Sequence, residues 1–119
     1  MSQVLLVALG GAAGSVLRYG AGLAAARLFG LGFPWGTLIV NVLGGLAIGV
    51  LAARLGPADE TMRLLLGVGL LGGFTTFSTF SLEVVRLMPD QPGAAAAYAA
   101  LSFGLSIAAC WAGLMLGRL

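Results

Sequence analysis

Residues 72–83 read Gly-Gly-Phe-Thr-Thr-Phe-Ser-Thr-Phe-Ser-Leu-Glu, which is poor helix-forming material inside an otherwise apolar chain. Two adjacent glycines precede a run in which five of the seven residues 75–81 are Ser or Thr. Hydroxyl side chains compete with the helix for backbone hydrogen bonds. A break at membrane depth is tolerated only where the backbone is buried in protein or lines a wet cavity. The stretch therefore predicts a helix that is broken in mid-membrane, with carbonyls free to coordinate a small cation such as Na⁺. A continuous helix with back-bonded hydroxyls is the alternative.

The chain carries too few charges for a soluble protein. It has 119 residues, of which 60% are hydrophobic and 8% are charged, whereas soluble domains have about 25% charged residues. The lack of His and the presence of only one Cys also remove imidazole bases and the usual zinc ligands. We therefore exclude a soluble enzyme and a disordered chain. We expect an integral membrane protein that is not an enzyme.

Charge-free intervals locate the membrane spans, since about 20 apolar residues cross the hydrocarbon core as a helix. Short loops with Gly and Pro separate these intervals at residues 30–34, 56–60 and 88–93. The sequence thus predicts an all-α membrane protein with a single domain over residues 1–119. The four predicted transmembrane helices lie near residues 3–27, 35–54, 62–87 and 93–117.

The arginines near the helix ends give almost no preference for one orientation in the membrane. With the N-terminus inside, the cytoplasmic side holds Arg54, Arg63 and Arg118, and the opposite side holds Arg27 and Arg86. Either the positive-inside rule fails for so small a protein, or the chain inserts in both orientations. Balanced charge and small size together suggest an inverted homodimer with a pathway between its subunits, similar to the inverted repeats of larger transporters.

The chain has 20 glycines, and small residues allow membrane helices to approach closely. Several glycines are spaced four residues apart, namely Gly10/Gly14, Gly45/Gly49, Gly69/Gly73 and Gly113/Gly117. Some such pairs are expected by chance at this glycine content. We therefore predict tight helix packing from them, without assigning a dimer face.

Neutral polar side chains lie at membrane depth on two of the predicted helices. Asn41 and Thr37 share one face of the second helix, and Tyr98, Ser102 and Ser106 recur every fourth residue on the fourth. Such groups must find hydrogen-bond partners in lipid. Hydrogen bonds between helices are one interpretation. The other is a row of donors that lines a pathway for an ion that accepts strong hydrogen bonds.

Two further features favour an anion. Arg18 lies midway along the first helix, where it must face water, snorkel, or pair with Glu83 or with carbonyls. Phe77 and Phe80 lie on one face of the third helix, and ring edges carry the positive part of the aromatic quadrupole. Simple packing is the alternative for this pair. The predicted membrane interior thus holds a positive charge and a surplus of donors.

Three strings resemble the Fluc/CrcB family of small fluoride channels, and the resemblance covers nearly the whole chain. The strings are Gly-Gly-Ala-Ala-Gly-Ser-Val-Leu-Arg-Tyr at 10–19, Gly-Thr-Leu-Ile-Val-Asn-Val-Leu-Gly at 36–44, and Gly-Gly-Phe-Thr-Thr-Phe-Ser-Thr-Phe-Ser at 72–81. Residues 44–46 read Gly-Gly-Leu where the family has Gly-x-Phe, a mild departure at a packing position. The fourth helix has no distinctive string.

The resemblance implies a dual-topology antiparallel homodimer with two fluoride pathways, and it assigns residues to them. Phe77 and Phe80 would contact fluoride through ring edges, Asn41 would donate to it, and Glu83 would lie near one end of the pathway. Thr37, Tyr98, Ser102 and Ser106 would form a hydroxyl track, with the fourth-helix residues assigned by spacing alone. Ser78 and Thr79, within the third string, are also assigned to the pathway.

The resemblance further implies a structural Na⁺ at the dimer centre, held by backbone carbonyls of Gly72 and Thr75 from both subunits. Arg18 would match a first-helix arginine with a vestibule or structural role. The expected partners are fluoride, sodium, the lipid bilayer and a second copy of the chain. Nucleic acid is not expected, because six scattered arginines make no basic patch.

The function that follows is passive export of fluoride across a bacterial inner or plasma membrane, which relieves fluoride toxicity. The alternative is a small proton-coupled multidrug exporter of the four-helix dual-topology type. That chemistry needs a carboxylate in the membrane, normally in the first helix, where this chain has Arg18. A third hypothesis is a structural subunit of a larger membrane complex.

Overall fold

A computed structural model describes residues 2–119, and this part of the chain contains four helices that are long and apolar enough to cross a membrane. Helix α1 spans Gln3–Phe29, α2 spans Trp35–Arg54, the third transmembrane helix spans Glu60–Leu87, and α4 spans Pro92–Gly117. The predicted bounds agree with these to within two residues. The longest dimension is 50 Å, enough for a bilayer of about 40–45 Å including headgroups.

The third transmembrane helix is broken, as the sequence predicted. Its first part, which we call α3a (residues 60–74), begins with a helical turn at Glu60–Met62 and ends with another at Gly72–Phe74. Thr75 and Thr76 are extended, with φ/ψ of −91°/158° and −151°/124°. The second part, α3b, spans Phe77–Leu87.

The hydroxyls of the two threonines cap the two sides of the break. Thr75 Oγ1 donates to the Leu71 carbonyl oxygen over 3.0 Å, one turn earlier in α3a. Thr76 Oγ1 accepts from the Thr79 N–H over 3.1 Å and so acts as the N-cap of α3b. The Thr76 hydroxyl thus replaces a backbone acceptor that the interruption removes, whereas the Thr75 hydroxyl adds to the bond that the Thr75 N–H already gives to the Leu71 carbonyl.

Between its two α-helical turns, α3a is a π-helix over Arg63–Leu71. The sequence predicts an ordinary helix here. Leucines dominate this segment, and nothing in its residue pattern distinguishes a π-helix from an α-helix. The wide turns end at Gly72, whose N–H donates to the Gly67 carbonyl oxygen five residues earlier.

The helices pack in two close pairs, α1 with α3a and α2 with α4. All four predicted glycine pairs lie in these two contacts: Gly10/Gly14 and Gly69/Gly73 between α1 and α3a, and Gly45/Gly49 and Gly113/Gly117 between α2 and α4. The expectation of tight helix packing is confirmed. A Cβ on Gly10, for example, would meet the Leu65 carbonyl oxygen and lie 2.8 Å from the Leu70 nitrogen.

A small buried cluster lies where α2, α3b and α4 meet. Leu38, Phe80 and Tyr98 form its centre, and Phe33 packs against it from the loop between α1 and α2. Most other large apolar side chains are exposed, as in a protein whose solvent is lipid. The cluster holds α3b in place on the far side of the break from α3a.

Candidate functional site

The break is braced by a side chain from another helix. Asn41, in the middle of α2, donates from Nδ2 to the Thr76 carbonyl oxygen over 3.0 Å, and its Oδ1 accepts from the Thr76 N–H over 2.8 Å. The amide therefore pairs with both backbone groups of one extended residue. One hydrogen on Nδ2 remains for another acceptor.

Two backbone carbonyls at the break lose the donors that a continuous helix would give them. In an α-helix the Gly72 carbonyl would accept from the Thr76 N–H, and the Thr75 carbonyl from the Thr79 N–H. Here the Thr76 N–H donates to Asn41, and the Thr79 N–H donates to the Thr76 hydroxyl. Neutral carbonyl oxygens released in this way are ligands for Na⁺. The two residues predicted to hold Na⁺ thus have the right donor chemistry.

A neighbouring carbonyl at the break is already occupied by a cationic side chain. Arg18 Nε donates to the Gly73 carbonyl oxygen over 3.1 Å. Of the partners expected for Arg18, a backbone carbonyl is therefore the one that it binds in the structure. The arginine also lines a cavity of about 250 Å³ with Thr37, Thr76 and Thr79.

The largest concave feature beside the break is an open cavity of about 400 Å³ between α2, α3a, α3b and α4. Among residues 2–119, no charged side chain lines it. Seven of the predicted site residues meet there: Asn41, Gly72, Thr75, Phe77, Phe80, Ser102 and Ser106. The structure thus brings together residues from three separate regions of the sequence.

The aromatic pair extends into a larger cluster. The ring centroids of Phe77 and Phe80 are 5.5 Å apart. Phe80 is 6% exposed and also packs on Tyr98 at 5.2 Å, whereas Phe77 is 68% exposed. Phe103 of α4 completes the cluster, 5.5 Å from Phe80 and 6.3 Å from Phe77.

The hydroxyl groups of α4 divide into two kinds. Ser102 and Ser106 have buried Oγ atoms for which residues 2–119 supply no hydrogen-bond partner. Because a buried hydroxyl normally finds a partner, these two are available to a ligand in the cavity. Tyr98, which is completely buried, donates instead to Glu83 Oε1 over 3.1 Å.

The remaining predicted residues lie toward one end of the molecule or beside the break. Glu83 and Thr37 line a cavity of about 260 Å³ near the loop between α1 and α2. Thr79 lies in the first turn of α3b and lines the cavity that contains Arg18. Ser78 is exposed, and its Oγ is 3.4 Å from Thr76 Oγ1.

Sequence reasoning missed two residues of this site. Thr76 supplies the backbone groups that Asn41 binds, and only its place within the hydroxyl run pointed to it. Phe103 joins the aromatic cluster from α4. Its position directly after Ser102, on the helix with the hydroxyl stripe, was the available signal.

Comparison with known proteins gives one consistent result. Residues 5–114 match the family described as CrcB-like protein, Camphor Resistance (CrcB). A fluoride-specific ion channel FluC of Caulobacter sp. (strain K31) is 52% identical, with 99% of this chain and 96% of the relative covered. Proteins of the same name from Phenylobacterium zucineum (strain HLK1) and Rhizobium etli (strain CIAT 652) are 51% and 54% identical. The alignments cover 99% of this chain and 97% and 98% of those relatives.

Proposed function

This chain belongs to the CrcB-like family, and from that premise we propose that it is a fluoride-selective ion channel through which fluoride crosses the membrane passively. The observation that carries the proposal is the cavity beside the break, to which residues 2–119 contribute neutral donors and phenylalanine rings but no carboxylate. A carboxylate there would repel an anion. The choice of fluoride among anions is supported by relatives that carry that name and are about half identical over nearly their full length.

The cavity has groups that can replace the water around a small anion. The Ser102 and Ser106 hydroxyls and the second Nδ2 hydrogen of Asn41 are available as donors. Phe77 and Phe80 add ring edges, which carry partial positive charge. Selective passage requires that such groups bind the ion well enough to strip its water and weakly enough to release it. Hydroxyls, an amide and ring edges meet both conditions better than a fixed positive charge would.

We propose that the channel is an antiparallel homodimer with two pathways along the subunit interface. The cavity is open on one side of the single chain, and Phe77 at its edge is 68% exposed. A second copy would close the cavity and cover this ring. The nearly even division of arginines between the two ends of the molecule supports insertion in both orientations.

We propose a structural Na⁺ where the two breaks meet. Each chain offers the Gly72 and Thr75 carbonyls, whose helical donors are used elsewhere. Two copies would offer four neutral oxygens at the dimer centre. When bound, the ion would hold the extended segments of the two chains together; it takes no part in moving the anion.

The chain is a multi-pass membrane protein, and we place it in the bacterial inner or plasma membrane. There it would let fluoride leave the cell down its electrochemical gradient and so relieve fluoride toxicity, as a channel and not as an enzyme. A proton-coupled multidrug exporter is not favoured. The one charged side chain in the middle of α1 is Arg18, and Glu83, four residues before the end of α3b, accepts a hydrogen bond from Tyr98.

Reconstitution of the purified protein separates these hypotheses. Liposomes loaded with fluoride should release it in the absence of any proton gradient, as followed with a fluoride electrode. A multidrug exporter would instead move ethidium when a proton gradient is applied. Folded protein that moves neither would point to a structural subunit and would contradict the channel.

A further inference from the structure

Phe103 neighbours both groups of side chains in the proposed pathway, the α4 serines and the phenylalanine rings. On α4 it follows Ser102 directly and precedes Ser106 by three residues, and all three line the large cavity. Its ring is 5.5 Å from that of Phe80, with an angle of 73° between the ring planes. The pair is therefore edge-to-face, the geometry that the ring quadrupole favours.

The contacts around Phe80 leave its ring little freedom. Phe77 packs on it at 5.5 Å with a tilt of 55°, and Tyr98 at 5.2 Å with a tilt of 59°. The Phe103 contact, at nearly a right angle, is the one that comes from the cavity side of α4. Without it, Phe80 would lose one of its three aromatic neighbours, the one that meets its ring at the steepest angle.

We propose that Phe103 is a positioning residue for the fluoride pathway, which sets the orientation of the Phe80 ring and thereby the preference for fluoride over larger anions. An edge that faces the cavity attracts an anion, whereas a ring face repels it. The inference rests on the proposed function. Phe103 acts through Phe80, and it is the ring, not the bulk of the side chain, that matters.

Three variants test this in liposomes that report fluoride and chloride efflux separately. Phe103→Leu keeps an apolar side chain but removes the ring, Phe103→Tyr keeps the ring, and Leu105→Ala alters an exposed position on the same helix. Phe103→Leu should lower fluoride flux and the fluoride-to-chloride ratio by about three- to tenfold. The free energy of one aromatic pair corresponds to about this change in an equilibrium constant. Phe103→Tyr and Leu105→Ala should keep both quantities near the wild-type values.

The outcomes are distinguishable. If the wild type passes fluoride and Phe103→Leu has the same fluoride flux and the same fluoride-to-chloride ratio, this inference alone is overturned. Equal losses in Phe103→Leu and Phe103→Tyr, or a loss that accompanies dissociation of the oligomer on size-exclusion chromatography, would also overturn it, because bulk or assembly would then be the cause. A wild-type protein that passes no fluoride would overturn the proposed function together with this inference.

Discussion

The side-chain amide of Asn41 pairs with both backbone groups of Thr76, over 3.0 and 2.8 Å, and so replaces the hydrogen bonds that a helix would have given to that residue. An extended residue in the middle of a membrane helix is costly unless its N–H and carbonyl are satisfied. One α2 side chain meets both needs. The same contact frees the Gly72 carbonyl, since the Thr76 N–H no longer reaches it. Asn41 therefore links the stability of the break to the chemistry around it.

Asn41→Asp should impair both stability and conduction. The carboxylate keeps an acceptor for the Thr76 N–H but loses the donor to the Thr76 carbonyl, at a cost of about 1–3 kcal/mol. It also adds a negative charge beside the cavity, which should lower fluoride flux. Thermal unfolding in detergent and efflux from liposomes measure the two effects. Gln3→Leu is the matched control. The Gln3 side-chain amide donates a hydrogen bond to exposed Glu60, and its loss should change neither the unfolding temperature nor the fluoride flux.

Ser102→Ala should separate stability from function. The Ser102 hydroxyl is buried without a partner among residues 2–119, so its removal should leave the unfolding temperature unchanged or slightly higher. Fluoride flux should fall, because a donor to the dehydrated ion is lost. Ser15→Ala, on an exposed face of α1, should have no effect on flux. A clear drop in stability for Ser102→Ala with unchanged flux would mean that the hydroxyl serves the fold.

Gly10→Ala should destabilise the contact between α1 and α3a. The added Cβ would meet the Leu65 carbonyl oxygen and approach the Gly69 Cα to 3.0 Å. Overpacking of this kind costs about 1–3 kcal/mol. Gly20→Ala, on the same helix with no neighbour within 4 Å, should be neutral or slightly stabilising. Similar unfolding curves for the two variants would contradict the packing described here.

Replacement of Na⁺ should lower the stability of the assembled protein. An ion that binds only the folded state stabilises it by about 2.7 kcal/mol at 100 times its Kd. We expect the unfolding temperature to rise with Na⁺ concentration at constant ionic strength, with N-methyl-D-glucamine as the replacement cation. The same temperature at every Na⁺ concentration would argue against a sodium site at Gly72 and Thr75.

Much of the fold follows from local sequence, but the contacts at the break do not. The four spans could be predicted from charge-free intervals, and the interruption from glycines followed by hydroxyls. The bonding of Asn41 to the break could not be predicted, because Asn41 and Thr76 are 35 residues apart and either could have formed hydrogen bonds elsewhere. The π-helix over Arg63–Leu71 has no signature in the residues that form it.

The site shows the same division between local pattern and tertiary arrangement. The pair Phe77 and Phe80 was visible because the two residues are three apart on one helix. Phe103 stood out only as the neighbour of Ser102, since its contact with Phe80 depends on how α4 packs beside α3b. Likewise, spacing placed Ser102 on a hydroxyl stripe, but only the packed helices show that its hydroxyl has no partner within residues 2–119.

The central claim is that the pathway beside the break passes fluoride and discriminates by its aromatic rings. The most direct measurement compares fluoride efflux from liposomes that contain wild-type protein or Phe80→Ile, with folded oligomer verified for both. We predict rapid fluoride efflux and retained chloride for the wild type, and at least about tenfold slower fluoride efflux for the variant, the equivalent of about 1.4 kcal/mol. Equal fluoride flux through the two proteins, or equal flux of fluoride and chloride through the wild type, would contradict the account.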